Sequence, residues 1–237
     1  MHYPLQVASN ALQRRVTRGR TLIVLTSIGA RETARWAPAA DVRATRIFIP
    51  SRPPLAPLTE RPLAVGLFGY LYKAKGFDGL HELRDRLDDD IDIVVAGRGT
   101  EALTAGRGIT VLGEVNGTDE DRFFAGIRAL LVPYAKNTLY GLVFAASSTI
   151  SRSHAYGTPV ICTLDGALPE AAAEGGTVGI DGGIGDLARC ANSVVRDEQT
   201  LDRLADEVAW LKADRTVENC AAPFLQAWAD IASEMTR

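Results

Sequence analysis

From Leu63 onward the chain alternates short runs rich in apolar residues with longer stretches whose apolar residues recur at helical spacing, and few architectures absorb such a sequence. The runs are Leu63–Phe68, Ile91–Ala96, Ile109–Leu112, Ala129–Val132 and Pro159–Cys162, with a further short strand at Thr177–Ile180. Each reads as a strand, and Ala129–Val132, apolar throughout, as one buried in a parallel sheet. Phe77, Leu80, Leu83 and Leu87 mark a helix over Phe77–Leu87. Helices are also expected from about Asp119, with Thr118 and Asp119 as caps, near 147–156, and at about 167–173, 184–195, 198–212 and 215–234. Strands alternating with helices imply an α/β fold, a parallel sheet with helices on both faces. Such sheets bind ligands beyond the carboxyl ends of their strands.

Upstream the texture differs. Residues 21–26 and 45–49 read as strands around a short helix at 29–36, so 1–49 form a small N-terminal α/β segment. Between Pro50 and Pro62 stand five of the eleven prolines, which remove backbone donors and fix φ, so 50–62 is expected to be a linker before a domain spanning 63–237. The chain has 237 residues, of which 46% are apolar, enough for one large core with an appendage. No apolar window is long enough for an integral membrane segment. A net charge of −3 argues against a nucleic-acid binder; the basic run Gln13–Arg20 reads as a solvated helix face. Three scattered cysteines and three histidines offer no metal constellation and suit a reduced, cytoplasmic protein.

Four loops at strand ends carry the candidate chemistry. In the first, Gly69 turns the chain after a strand and Gly76 opens a helix, where free N–H groups and the macrodipole attract anions. Lys75 adds a full positive charge, and the combination reads either as a diphosphate clamp or as an ordinary strand–turn–helix junction with surface lysines. In the second, Gly97-Arg98-Gly99 permits close approach to a planar base or is a plain tight turn. In the third, Ser147, Ser148 and Thr149 begin a helix and suit phosphate or sugar hydroxyls, although simple N-capping is the better local explanation. Arg152 lies one turn further on. The fourth contains Pro169 and Glu170, whose default explanation is helix-start chemistry. No nucleophile–base set with credible context is present, and His154 and His81 read as packed or surface residues.

In this order the loops resemble the C-terminal domain of family-4 retaining glycosyltransferases of the GT-B fold. The resemblance rests on Gly69-Tyr70-Leu71-Tyr72-Lys73-Ala74-Lys75-Gly76, on Ile93–Gly99, on Ile109–Val115 and on Gly157–Glu170. It implies a Rossmann-like domain, one half of a GT-B fold, that holds a nucleotide-diphospho-sugar such as a UDP- or GDP-sugar as donor substrate, with no other cofactor and no obligatory metal. Lys75 would bind the diphosphate with Gly69, Gly76 and the helix start at Ser147, Ser148 and Thr149. Gly97, Arg98, Gly99, Glu114 and Val115 would border the base, with Arg152 and Glu170 as further candidates.

The departures bear on activity. Tyr70 stands where the family usually has arginine, leaving Lys73 as the replacement cation. The family's spaced pair of glutamates aligns with Phe144 and Arg152, neither acidic. Most of an N-terminal acceptor domain is missing, with His2 at most a remnant of its catalytic histidine. The catalytic residues are therefore unassigned. The expectation is a donor-binding protein that transfers a sugar with retention once a second copy or a partner subunit supplies the acceptor side; the acceptor is unknown. The rival is a non-catalytic scaffold or regulatory subunit, and an epimerase of the same architecture fits less well.

Overall fold

The computed structural model of the chain describes residues 12–71, 75–134 and 146–235. They divide into two compact units. The smaller joins the described residues up to Phe48 with Ala146 and the stretch from Arg215; the larger takes the described remainder between Ile49 and Asp214.

The larger unit is a six-stranded parallel sheet of β3 (Ala64–Phe68), β4 (Asp92–Ala96), β5 (Ile109–Val111), β6 (Ala129–Val132), β7 (Val160–Thr163) and β8 (Thr177–Ile180), in the order β5-β4-β3-β6-β7-β8. Successive side chains of each strand serve opposite faces. Val65, Leu67, Ile93, Val95, Leu131 and Ile161 enter one core, together with Leu80 and Leu83 of α2 (Leu80–Arg86), Leu187 and Ala191 of α6 (Ile184–Val194), and Leu201 and Leu204 of α7 (Glu198–Asp214). Phe68, Leu130, Val132, Val160 and Cys162 enter the other, against Phe123 and Phe124 of α3 (Thr118–Ala125), Ile150 of α4 (Ser148–Ala155) and Leu168 of α5 (Leu168–Glu174). Both faces are covered, so β3, β6 and β7 at the centre are buried at every residue, while the edge strands β5 and β8 are only partly so. From β3 the chain builds outward through β4 and β5, then returns to pair β6 with the other edge of β3. Sheets of this order bind ligands at such a reversal, which here falls beyond the carboxyl ends of β3 and β6.

The stretch read as a linker is packed into this unit. Leu58 is part of its core. Arg61 is buried and donates to the carbonyls of Ala56, Phe124, Ile127 and Tyr156 and to the Thr158 hydroxyl. Arg128 donates to the carbonyls of Thr59, Arg61 and Val195. Guanidinium donors thus serve the carbonyls of Ala56, Thr59 and Arg61 in the proline-rich stretch and tie it to the ends of the neighbouring helices. At α3 the expected caps, Thr118 and Asp119, lie inside the helix; the cap is Gly117 at φ +57°.

In the smaller unit β1 (Thr21–Val24) pairs in parallel with β2 (Asp41–Ala44), and α1 (Ser27–Trp36) connects them. The second strand was expected at 45–49. The ladder instead takes the more polar segment just before it, where Asp41 and Asp230 both pair with Arg43. Ile49 packs with Ala155 and Leu211 in the larger unit. The last helix, α8 (Val217–Met235), belongs with β1 and β2 and not with the sheet of six, because Asp230 meets Arg43 and the Cys220 carbonyl accepts from the Thr45 hydroxyl at 2.9 Å.

Candidate functional site

At that reversal, Gly69 leaves β3 with φ +134° and its N–H donates to the Ala96 carbonyl. The loop returns at Lys75 and Gly76. Gly76 adopts φ +73°, and a β-carbon there would stand 2.0 Å from the Pro133 carbonyl oxygen. Only glycine lets the end of the first loop lie against the chain leaving β6. The ammonium of Lys75 consequently reaches across: it donates to the Tyr134 hydroxyl and lies 4.0 Å from the centre of that ring.

Tyr134 joins the remaining parts. Its hydroxyl is 3.2 Å from the Ser147 hydroxyl, and its carbonyl accepts from the Thr163 hydroxyl, at the end of β7, at 2.8 Å. Ser147 is the N-cap residue of α4 but makes no side-chain capping bond, so its hydroxyl faces Tyr134 instead of its own helix. Ser148 is exposed, whereas Thr149 is buried with its hydroxyl 3.5 Å from where a Gly69 β-carbon would stand. Gly69, Lys75, Gly76, Ser147 and Thr149 are therefore brought together. Lys73, Phe144 and His2 lie outside the described residues. Tyr134 is absent from the sequence candidates; its signal was its position two residues after β6, at a strand end.

The base-side candidates form a second cluster. The N–H of Gly97 donates to the Gly113 carbonyl at 2.7 Å, and the N–H of Leu71 donates to the Arg98 carbonyl at 3.0 Å. A β-carbon on Gly97 would stand 2.0 Å from the Gly69 carbonyl oxygen, so the first and second loops touch through backbone. Arg98 donates to the Tyr70 hydroxyl, which, with Glu114 and Glu101 adding, holds the guanidinium above its ordinary pKa. Glu114 is exposed, but Val115 is buried in the core beside Phe68.

Arg152 is engaged by neighbouring side chains while still reaching solvent. It pairs with Glu120 at 3.5 Å and lies over the Phe68 ring at 5.5 Å. Glu120 is buried and also meets Arg52 at 3.4 Å and the Tyr156 hydroxyl at 3.1 Å. Desolvation, with Asp121 and Glu120 adding, pushes the Tyr156 phenol up, so it stays a donor. Glu170 sits half-buried in the first turn of α5. His154 is a packed residue, its Nε2 beside the Gly176 carbonyl at 3.1 Å, and His81 is exposed. Among the described residues no group of three or more His, Cys, Asp or Glu is placed to hold a metal ion, and no helix is long and apolar enough to cross a membrane.

The sequence matches no family model and none of the curated proteins. Solved structures are informative about the fold. The Anabaena protein HepE, crystallised with UDP and glucose, superposes with a TM-score of 0.68 at 14% identity over 88% of this chain and 62% of HepE. The fold is GT-B glycosyltransferase-like. AviGT4, a glycosyltransferase involved in avilamycin A biosynthesis, gives 0.60 at 18% identity over 89% of this chain and 64% of its own. The GtfA/B complex gives 0.61 at 13% identity, with 90% and 45% covered. The chain thus spans less than two thirds of each of these proteins, and its six-stranded sheet corresponds to one Rossmann-like half of such an enzyme.

Proposed function

We propose that the larger unit binds a nucleotide-diphospho-sugar, such as a UDP- or GDP-sugar, and that the chain transfers the sugar with retention once a second copy or a partner subunit completes the acceptor side. The observation that carries this reading is the convergence of the Lys75 ammonium and the start of α4 at the β3–β6 reversal. A pyrophosphate needs positive potential from fixed groups that do not have to reorganise when charge develops on the departing diphosphate. An ammonium beside free helix N–H groups is such an arrangement. The reading calls on no further cofactor; the charge falls to Lys75 and α4. Tyr70, Arg98 and Gly97–Gly99, held together by hydrogen bonds between loops, would border the base. The likeness to HepE, solved with UDP-glucose, and to the two-component GtfA/B complex supports a nucleotide-sugar donor and a partnered acceptor side.

One observation favours a second reading. Arg152 stands where the resemblance calls for an acid, and it is tied to Glu120 instead of being offered to a ligand. A scaffold or regulatory subunit that keeps the donor fold without turnover accounts for that. A thermal-shift panel of UDP, GDP and ADP with their sugars tests donor binding: one nucleotide class should raise Tm, and Lys75→Ala should abolish the shift. No shift with any of them would sink the donor reading. Assay of the responding donor for hydrolysis or transfer then separates enzyme from scaffold.

A further inference from the structure

The geometry points to Tyr134 as an internal occupant of the diphosphate position, one that a bound donor must displace; the inference rests on the donor reading above. Two groups assigned to the pyrophosphate, Lys75 and Ser147, are both bonded to one atom, the Tyr134 hydroxyl oxygen. Lys75 can only donate, so it takes a lone pair of that oxygen. The phenolic proton is then free to go to the Ser147 hydroxyl. A phosphate oxygen bridging Lys75 and Ser147 would have to stand where the phenolic oxygen stands. The two are competitors for one place.

The backbone of Tyr134 is held independently of its ring. Its carbonyl takes the Thr163 hydroxyl, and the neighbouring Pro133 carbonyl closes on Gly76. Swinging the ring away therefore leaves the chain at the end of β6 in register with β7. What is lost is the ammonium–hydroxyl bond, the bond to the Ser147 hydroxyl, the contact of Lys75 with the ring and the packing of the ring on the core. A nucleoside diphosphate replaces the first with a stronger, fully charged partner, and so binds with an affinity lowered by whatever the displaced contacts contributed.

Isothermal titration of UDP and of GDP into the full chain, its Tyr134→Phe variant and its Lys75→Ala variant tests this. Removing the hydroxyl while keeping the ring should tighten the responding nucleotide by about tenfold, the factor for roughly 1.4 kcal/mol. Lys75→Ala should weaken it. A merely structural tyrosine would give the opposite sign or no change, since a loosened site does not bind better. Unchanged or weaker binding by Tyr134→Phe, with the unmodified chain still binding, overturns the role of Tyr134 alone. Absence of binding by all three proteins overturns the donor reading and this inference together.

Discussion

Single residues set how closely the loops approach. Gly76 and Gly97 combine positive φ with a backbone oxygen 2.0 Å from any added β-carbon, Pro133 in one case and Gly69 in the other. Alanine at either should cost about 3 kcal/mol in urea unfolding, combining left-handed strain with a backbone shift. Gly106, with ordinary φ and nothing within 4 Å of the same added atom, should accept alanine within about 0.5 kcal/mol. Cys162 makes a second test. Burial raises its thiol from 9.0 to about 12, so the native state holds the proton that the unfolded chain releases. Its contribution is complete below about pH 9 and is lost as pH rises through about 12. An aromatic disulfide reagent at neutral pH should therefore spare Cys162 in the native protein and titrate it only on unfolding.

Among elements, α3 and α4 are locked by buried charge. Glu120 faces Arg52, Arg152 and Tyr156, beside the stacked rings of Phe124 and Tyr156 at 4.4 Å. Glu120→Ala should cost about 2 kcal/mol, less than for a fully buried pair, because both arginines reach solvent; chemical denaturation measures it. Double substitution of Glu120 and Arg152 should recover part of that loss in a mutant cycle. Arg61 ties the proline-rich stretch to α3 and the turn after α4. Burial lowers its pKa to about 10, so it still carries its charge at neutral pH. Because the folded value lies below the unfolded one, stability gains from Arg61 deprotonation only above about pH 10 and is indifferent to it below. Arg61→Met should cost about 3 kcal/mol by stranding five acceptors, without altering the pH dependence between 6 and 9 (about the window where neither form titrates).

At the scale of the whole molecule, the smaller unit leaves much apolar surface uncovered. Val217, Leu225 and Trp228 of α8 are 55%, 60% and 64% exposed, and no charged residue falls between Glu218 and Asp230. Exposed apolar stripes of this kind recur at protein–protein contact surfaces. If a second copy covers it, Leu225→Ser with Trp228→Ser should lower the sedimentation coefficient while changing unfolding free energy by about 0.5 kcal/mol or less.

Local pattern announced most of the elements. Ala129–Val132 stands where its apolar run ended, because a strand buried on both faces writes its limits into consecutive residues, and Thr177–Ile180 also falls at the expected residues. Glycines at strand ends likewise flagged the loops that meet. Other features depended on partners remote along the chain. β2 lies at Asp41–Ala44, where Arg43 meets Asp230 far along the sequence, and α8 falls with the smaller unit. The Tyr134 contacts with Lys75, Ser147 and Thr163 arose from the order β3-β6-β7, which no periodicity encodes. Hydrogen bonds and desolvation act on atoms that folding brings together, so they leave no trace in the spacing of residues.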